Sequence, residues 1–175
     1  MKRFSTLCIL LLFACACSDD DDSSPRSKET DLNLVTGIVI RGALSDPGMR
    51  LGNPNNIGNL QFALYPNPTL ESFAIRTRGS SITDVWIVPA EERKAFEQTD
   101  FSTVLTPQTY AQADVERAAQ ETFLGLDTTV VILNVEDLSP GYYRVFVKIE
   151  DGIYVENIYL AGNNFDIQDI IDFWE

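Results

Sequence analysis

Residues 141–160, "GYYRVFVKIEDGIYVENIYL", constrain the fold more than any other part of the chain. Tyr143, Val145, Val147 and Ile149 fall on one parity and Tyr142, Arg144 and Lys148 on the other, the period-two pattern of a strand. Asp151-Gly152 follows, a strong hairpin signal, because a type I′ turn needs positive φ at both central residues. Two long strands joined tightly must belong to an antiparallel sheet, and the rest of the chain has to supply its neighbours.

It supplies them. "LVTGIVIRG" is β-branched and bounded by glycine, and "LQFALY", "ESFAIRT", "ITDVWIVPA" and "TTVVILNV" are further short strand patterns. Phe73, Ile75 and Thr77 share one face of their strand while Arg76 and Arg78 face the other way; Val131, Leu133 and Val135 likewise align. "SDPGMRLGNPNNIGN" is dense in Gly, Pro and Asn and reads as a loop with tight turns. Helical patterns interrupt the strands. "AEERKAFEQ" begins one, with its acids in the first turn, and "TPQTYAQADVERAAQETF" places Ala111, Val115, Ala118 and Thr122 at helical spacing. Near the C-terminus Asp166 caps a short helix with Ile167, Ile170, Ile171 and Trp174 on one stripe, which must bury against something to be stable. The expected fold is mainly β: an antiparallel β-sandwich with a helical insertion near 90–126 and a short C-terminal helix.

The N-terminus carries an address rather than structure. Lys2 and Arg3 precede an apolar run from Leu7 to Ala16 that is too short to span a bilayer as a helix. "LFAC" and "ACAC" both resemble the lipobox of bacterial lipoproteins. Cys17 is favoured over Cys15 as the lipidated residue, because Ser18 and Asp19, Asp20, Asp21 and Asp22 after it resemble a surface-export signal of Bacteroidetes lipoproteins. Residues 1–16 are thus expected to be a signal peptide, 17–31 a flexible acidic tether too poor in apolar side chains to fold, and 32–175 one domain.

"LYPNPTLESFAIRT", "ITDVWIV" and "LNVEDLSPGYYRVFVKIEDGIYVENIYL" together resemble the type A C-terminal sorting domain of the type IX secretion system. The resemblance implies a small Ig-like sandwich, and its motif positions fall on Tyr65, Pro66, Asn67 and Pro68 and on Pro140, Gly141 and Tyr142. Pro66 and Pro68 fix φ and force a tight exit from a strand, while Asn67 can hydrogen-bond the turn backbone. The chain departs from the module in its N-terminal address, its extra first strand, its insertion and "GNNFDIQDIIDFWE" past the last strand.

Composition narrows the chemistry. The chain has no histidine, and its three cysteines, Cys8, Cys15 and Cys17, lie in or beside the signal. Cys/His zinc sites, histidine bases and Ser–His or Cys–His nucleophiles are therefore excluded from the domain. Asp46 with Asn53, Asn55, Asn56 and Asn59 lacks the spacing of a calcium loop, and turn formation accounts for these asparagines better. Glu91, Glu92, Glu121 and Asp127 could hold a carboxylate pair for hydrolysis, though exposed helix faces explain them more simply. Tyrosines 65, 110, 142, 143, 154 and 159 and Trp86 could line a glycan or peptide site, with core packing as the default. Asp127-Thr128-Thr129 resembles an O-glycosylation acceptor at Thr128. Removal of Lys2 and Arg3 with the signal takes the net charge from −13 to −15, which repels nucleic acid. The expected function is a non-catalytic, cofactor-free protein lipid-anchored on the outer membrane and facing outward, a binding or assembly module for a protein or glycan. The alternatives are a sorting-like domain that docks with the type IX machinery and, third, a carboxylate-only hydrolase.

Overall fold

The computed structural model describes residues 32–56, 59, 61–94, 109–150 and 152–175. Two main sheets face each other. The larger has the strand order β11-β10-β6-β8 and consists of Gly152–Leu160 (β11), Gly141–Ile149 (β10), Ile82–Pro89 (β6) and Glu121–Thr128 (β8). The smaller has the order β4-β5-β9 and consists of Phe62–Tyr65 (β4), Ser72–Thr77 (β5) and Val130–Asn134 (β9). All pairings within both sheets are antiparallel. This is the expected sandwich.

Alternation places the inward faces of β5, β9 and β10 as anticipated. Phe62, Leu64, Phe73, Ile75 and Leu133 of the small sheet meet Val85, Ile87, Tyr143, Val145, Val147, Ile149, Ile158 and Leu160 of the large one. Ile82 and Val85 both enter this core although three residues apart, because a register shift between Ile82 and Asp84 inserts one extra residue.

The β10–β11 hairpin is present, with its turn one residue earlier than the Asp-Gly signal suggests. Ile149 pairs with Gly152, so the two-residue connection starts at Glu150, whose φ is 54°. Gly152 already belongs to β11, and Asp151 lies outside the described residues. Glycine serves close approach here: a Cβ at Gly152 would sit 2.9 Å from the Tyr154 ring.

The outward parity of the large sheet is buried too, which sequence alternation alone does not reveal. Tyr142, Arg144 and Phe146 are all buried. One half of this face is covered by Tyr110 and by Val115 of the helix Gln112–Ala118 (α1), which pack on Trp86, Val88, Phe146 and Val155. The other half is covered by an N-terminal layer and the C-terminal helix. That layer comprises Leu34–Val35 (β1), Gly37–Ile40 (β2), Met49–Gly52 (β3) and Glu91–Glu92 (β7), with β2 paired to β3 and β1 running parallel to β7.

Three expectations need correction. The Gly/Pro/Asn-rich stretch is not all loop, since β3 pairs residue for residue with β2; the turn between them is closed by Asp46, which accepts from the amides of Gly42 and Gly48. Glu91 and Glu92 are extended rather than helical, because Glu91 N–H donates to Asn33 and Arg93 N–H to Val35. Residues 95–108 lie outside the described residues. The helix containing Val115 ends at Ala118, and Thr122 lies in β8 opposite Trp86. A strand wins there because β6 is buried on both faces and its edge needs hydrogen-bonding partners, which β8 supplies. The region near 90–126 is therefore part helix and part sheet edge.

The C-terminal helix Ile167–Trp174 (α2) forms as read. Asp166 is its N-cap and accepts from Gln168 N–H at 2.9 Å. Ile170 and Trp174 are buried with Val35, Ile38, Leu51 and Tyr142, whereas Ile167 stays largely exposed. Trp174 Nε1 donates to the Tyr142 hydroxyl at 2.9 Å, and burial pushes that hydroxyl's pKa up to about 12. Two large apolar side chains buried at ~1.5–3 kcal/mol each make α2 a structural element. Truncation after Gly162 is expected to lower the melting temperature by roughly 5–15 °C in a thermal scan. An unchanged melting temperature would show that α2 contributes nothing to the domain.

Candidate functional site

The "YPNP" segment lies between the N-terminal layer and the edge of β11. Asn67 is buried, and each of its polar groups is engaged. Its Nδ2 donates to the carbonyls of Val39 at 2.9 Å and Asn157 at 2.8 Å, and its Oδ1 accepts from Tyr159 N–H at 3.0 Å. Its backbone exchanges two 2.8 Å hydrogen bonds with Arg41. The Tyr65-Pro66 and Asn67-Pro68 peptide bonds are both cis. Beside it Asn157, fully buried, donates through Nδ2 to Gly37 O and Asn55 Oδ1, both at 2.8 Å. Asn55 in turn donates to Leu34 O at 2.7 Å. Of the asparagines considered as cation ligands, Asn55 is thus spent on joining Leu34 to Asn157.

The two motif stretches converge on Tyr159. Asn67 binds its amide, and the Tyr142 ring meets its ring edge-on at a centroid distance of 4.8 Å. Gly141 opens β10, and Pro140 lies against Gly162 after β11. Tyr65 is half-buried on β4, and Pro66 is exposed. The motif residues are structural in this fold, and none of them is among the lining of the groove beside them.

An open groove of about 820 Å³ begins next to this junction. Its lining includes Arg41 at the end of β2, Leu44 to Pro47 from the turn that Asp46 closes, and Arg76 and Arg78 along β5 and just beyond. Glu156 of β11 contributes a carboxylate. Glu156 sits opposite Val145, on the parity that points between the sheets, in β11, the last strand of the large sheet. An inward-pointing charge at an edge strand discourages edge-to-edge pairing. Its Oε1 accepts from Asn56 Nδ2 and its Oε2 from Asn59 Nδ2. Burial raises its pKa to about 7; the amides of Asn59 and Asn56 and the Arg41 guanidinium pull the other way without cancelling it. Asp46 behaves oppositely: the Gly42 and Gly48 amides hold its carboxyl below the usual range.

Sequence pointed to Arg76 and Arg78 only as outward residues, and it missed Arg41 and Glu156. The apolar content of β11 is similar on both parities, so the inward side of "IYVENIYL" cannot be chosen from sequence, and Glu156 with it. The other candidates are dispersed. Glu91 and Glu92 are exposed on β7, and Glu121 and Asp127 are exposed toward opposite ends of β8. Thr128 ends β8, where its hydroxyl donates to Val130 O and accepts from Val130 N–H. Trp86 and Tyr110 are core residues on the α1 side. Among the described residues no group of three His, Cys, Asp or Glu side chains converges as metal ligands do. Cys15, Cys17, Ser18 and Asp19–Asp22 lie outside the described residues.

Comparison with known proteins finds no match, whether to a family model, a curated protein or a solved structure.

The raised pKa of Glu156 has a definite sign. The folded state holds this proton more tightly than the unfolded state, so the contribution to stability is full below the ordinary value of 4.5 and is lost as pH rises through about 7. Glu156→Gln mimics the protonated form. It is expected to stabilise the protein at pH 8 by up to ~3 kcal/mol and to change little at pH 4.5, as read by denaturant unfolding at both pH values. A stability difference that is the same at both pH values would contradict this.

Proposed function

We propose that the chain is a non-catalytic, lipid-anchored surface protein whose sandwich presents a binding groove. One observation carries the binding reading. Arg41, Arg76 and Arg78 line a single groove, and none of them forms a salt bridge with a described residue. In a chain of net charge −13, three cations set against two carboxylates, Asp46 and Glu156, give this groove a positive balance suited to an anionic visitor. The anchor reading rests on the N-terminal sequence, with Cys17 favoured over Cys15 and Asp19–Asp22 as the export signal.

Catalysis by carboxylates has weak support in the groove. Glu156 has the pKa of a general acid, but a partner carboxylate must be free to act on substrate. Asp46, the other carboxylate of the lining, has both oxygens committed to backbone amides of its own turn.

A second reading, a sorting-like domain that docks with the type IX machinery, is favoured by the convergence of the two motif stretches on Tyr159. Protease treatment of intact cells tests the first reading. The domain should be released from the wild type and retained when Asp19–Asp22 are replaced by alanine, and Cys17→Ser should abolish membrane association. Full protection of the wild type would refute surface display. A deletion strain that fails to secrete ordinary type IX cargo would favour the second reading.

A further inference from the structure

We propose that the arginine groove binds an acidic oligosaccharide, one whose sugars carry carboxylates. The inference rests on the reading of the domain as a binding module and names the ligand class.

Charge is the first argument. Five ionisable side chains line the groove: Arg41, Arg76, Arg78, Asp46 and Glu156. The Asp46 carboxylate already accepts two backbone N–H donors, and the half-buried Glu156 accepts from the Asn56 and Asn59 amides. The three guanidinia therefore outweigh them. The Nε–H of Arg41 is buried and meets no acceptor, so this side chain has hydrogen-bonding capacity unused within the fold. Guanidinium is the side chain best matched to a planar carboxylate, which it can grip with two parallel hydrogen bonds.

Spacing is the second argument. Arg76 and Arg78 are two residues apart at the end of β5, so their Cα atoms are ~6–7 Å apart along an extended chain. Arg41 approaches from a different element, the end of β2. Charges spread along a groove of about 820 Å³ suit a ligand with repeated anionic groups rather than a single small anion.

The third argument separates a glycan from a peptide. A peptide would gain most of its affinity by adding a strand to the free edge of β4, which ends the small sheet. Thr77 N–H donates to Thr129 O, just before β9, so Phe62, paired with Thr77, and Leu64 two residues on turn their main-chain groups toward that free edge. Yet Phe62 is only 6% exposed and Leu64 3%, so the edge is covered. Recognition must come from side chains instead. Besides the arginines these are the hydroxyl-bearing Ser45 and Thr129 and an apolar wall from Leu44 and Pro47, both exposed. Cations for carboxylates, hydroxyls for hydroxyls and an apolar wall for sugar C–H faces suit an acidic glycan.

Glu156 gives the site a second readout. Facing it are the Asn56 and Asn59 amides and the Arg41 guanidinium; Val145, its β10 neighbour, is apolar, and Asp46, Arg76 and Arg78 complete the charged lining. Its ionisation near neutrality adds a negative charge that opposes an anionic ligand.

The test is calorimetric titration of the purified protein with a hexamer of galacturonic acid at low salt. Its methyl ester and a sulfated oligosaccharide of similar length serve as comparison ligands. The hexamer should bind saturably, and the ester should not. Arg76→Gln with Arg78→Gln, both exposed positions, should weaken binding ~10-fold or more with the melting temperature unchanged. Affinity should fall severalfold between pH 6 and pH 8 in the wild type and stay level in Glu156→Gln. No saturable binding, equal binding of the ester, tighter binding of the sulfated ligand or indifference to the arginine substitutions would overturn the inference and leave the binding-module reading untouched. Chromatographic detection of cleaved hexamer would leave the ligand class standing and remove the non-catalytic reading.

Discussion

The side chain of Asn67 is the point on which the arrangement of layers depends. It fastens β2 through Val39 and β11 through Asn157 and Tyr159, while its own backbone is bonded to Arg41. Two flanking bonds extend the seam, Thr69 N–H to Tyr159 O at 3.1 Å and Ala161 N–H to Thr69 O at 2.7 Å. The connection from β4 to β5 thus fills the space beside β11 that another strand would otherwise occupy. Every donor and acceptor on Asn67 is paired, and that is the condition for a buried amide to stabilise rather than weaken a fold.

Position in the groove follows from that seam. Arg41 is fixed by its backbone bonds to Asn67, and Glu156 immediately precedes Asn157 on β11. The cation and the carboxylate that face each other at the groove are therefore each one step from the same junction. The Glu156 carboxylate is held by the amides of Asn56 and Asn59, and Asn55 beside them is tied to Asn157 and Leu34. A structural network and a candidate binding surface share their framework, and the asparagines serve both.

The legible parts of the fold were those with local cause. Alternation in β5, β9 and β10 gave correct inward faces, and the Asp166 cap with the Ile170–Trp174 stripe gave the last helix, because both signals reside within a few residues. What could not be read was long-range. Nothing local marks "SDPGMRLG" as containing a strand; β3 exists because β2 offers it a partner. Nothing local ends the Val115 helix at Ala118, since the cause is the open edge of β6. The burial of Arg144, whose guanidinium lies over the Phe146 ring at 5.2 Å and donates to the Tyr110 hydroxyl at 3.1 Å, depends on a layer that alternation cannot announce. The groove was the least legible of all, because its charges come from β2, β5 and β11, far apart in the chain.

Hydrogen exchange of Asn67→Ala, measured peptide by peptide against the wild type, tests the central claim that this side chain joins the layers. Loss of Asn67 leaves the Val39 and Asn157 carbonyls and the Tyr159 amide short of a partner, at roughly 1–3 kcal/mol for each group left buried. Protection should fall in residues 37–52 and 156–161 by one to two orders of magnitude or more, while β5 and β6 remain slow, since their core contacts do not involve the seam. Unchanged protection in residues 37–52, or uniform loss across both sheets, would contradict the account.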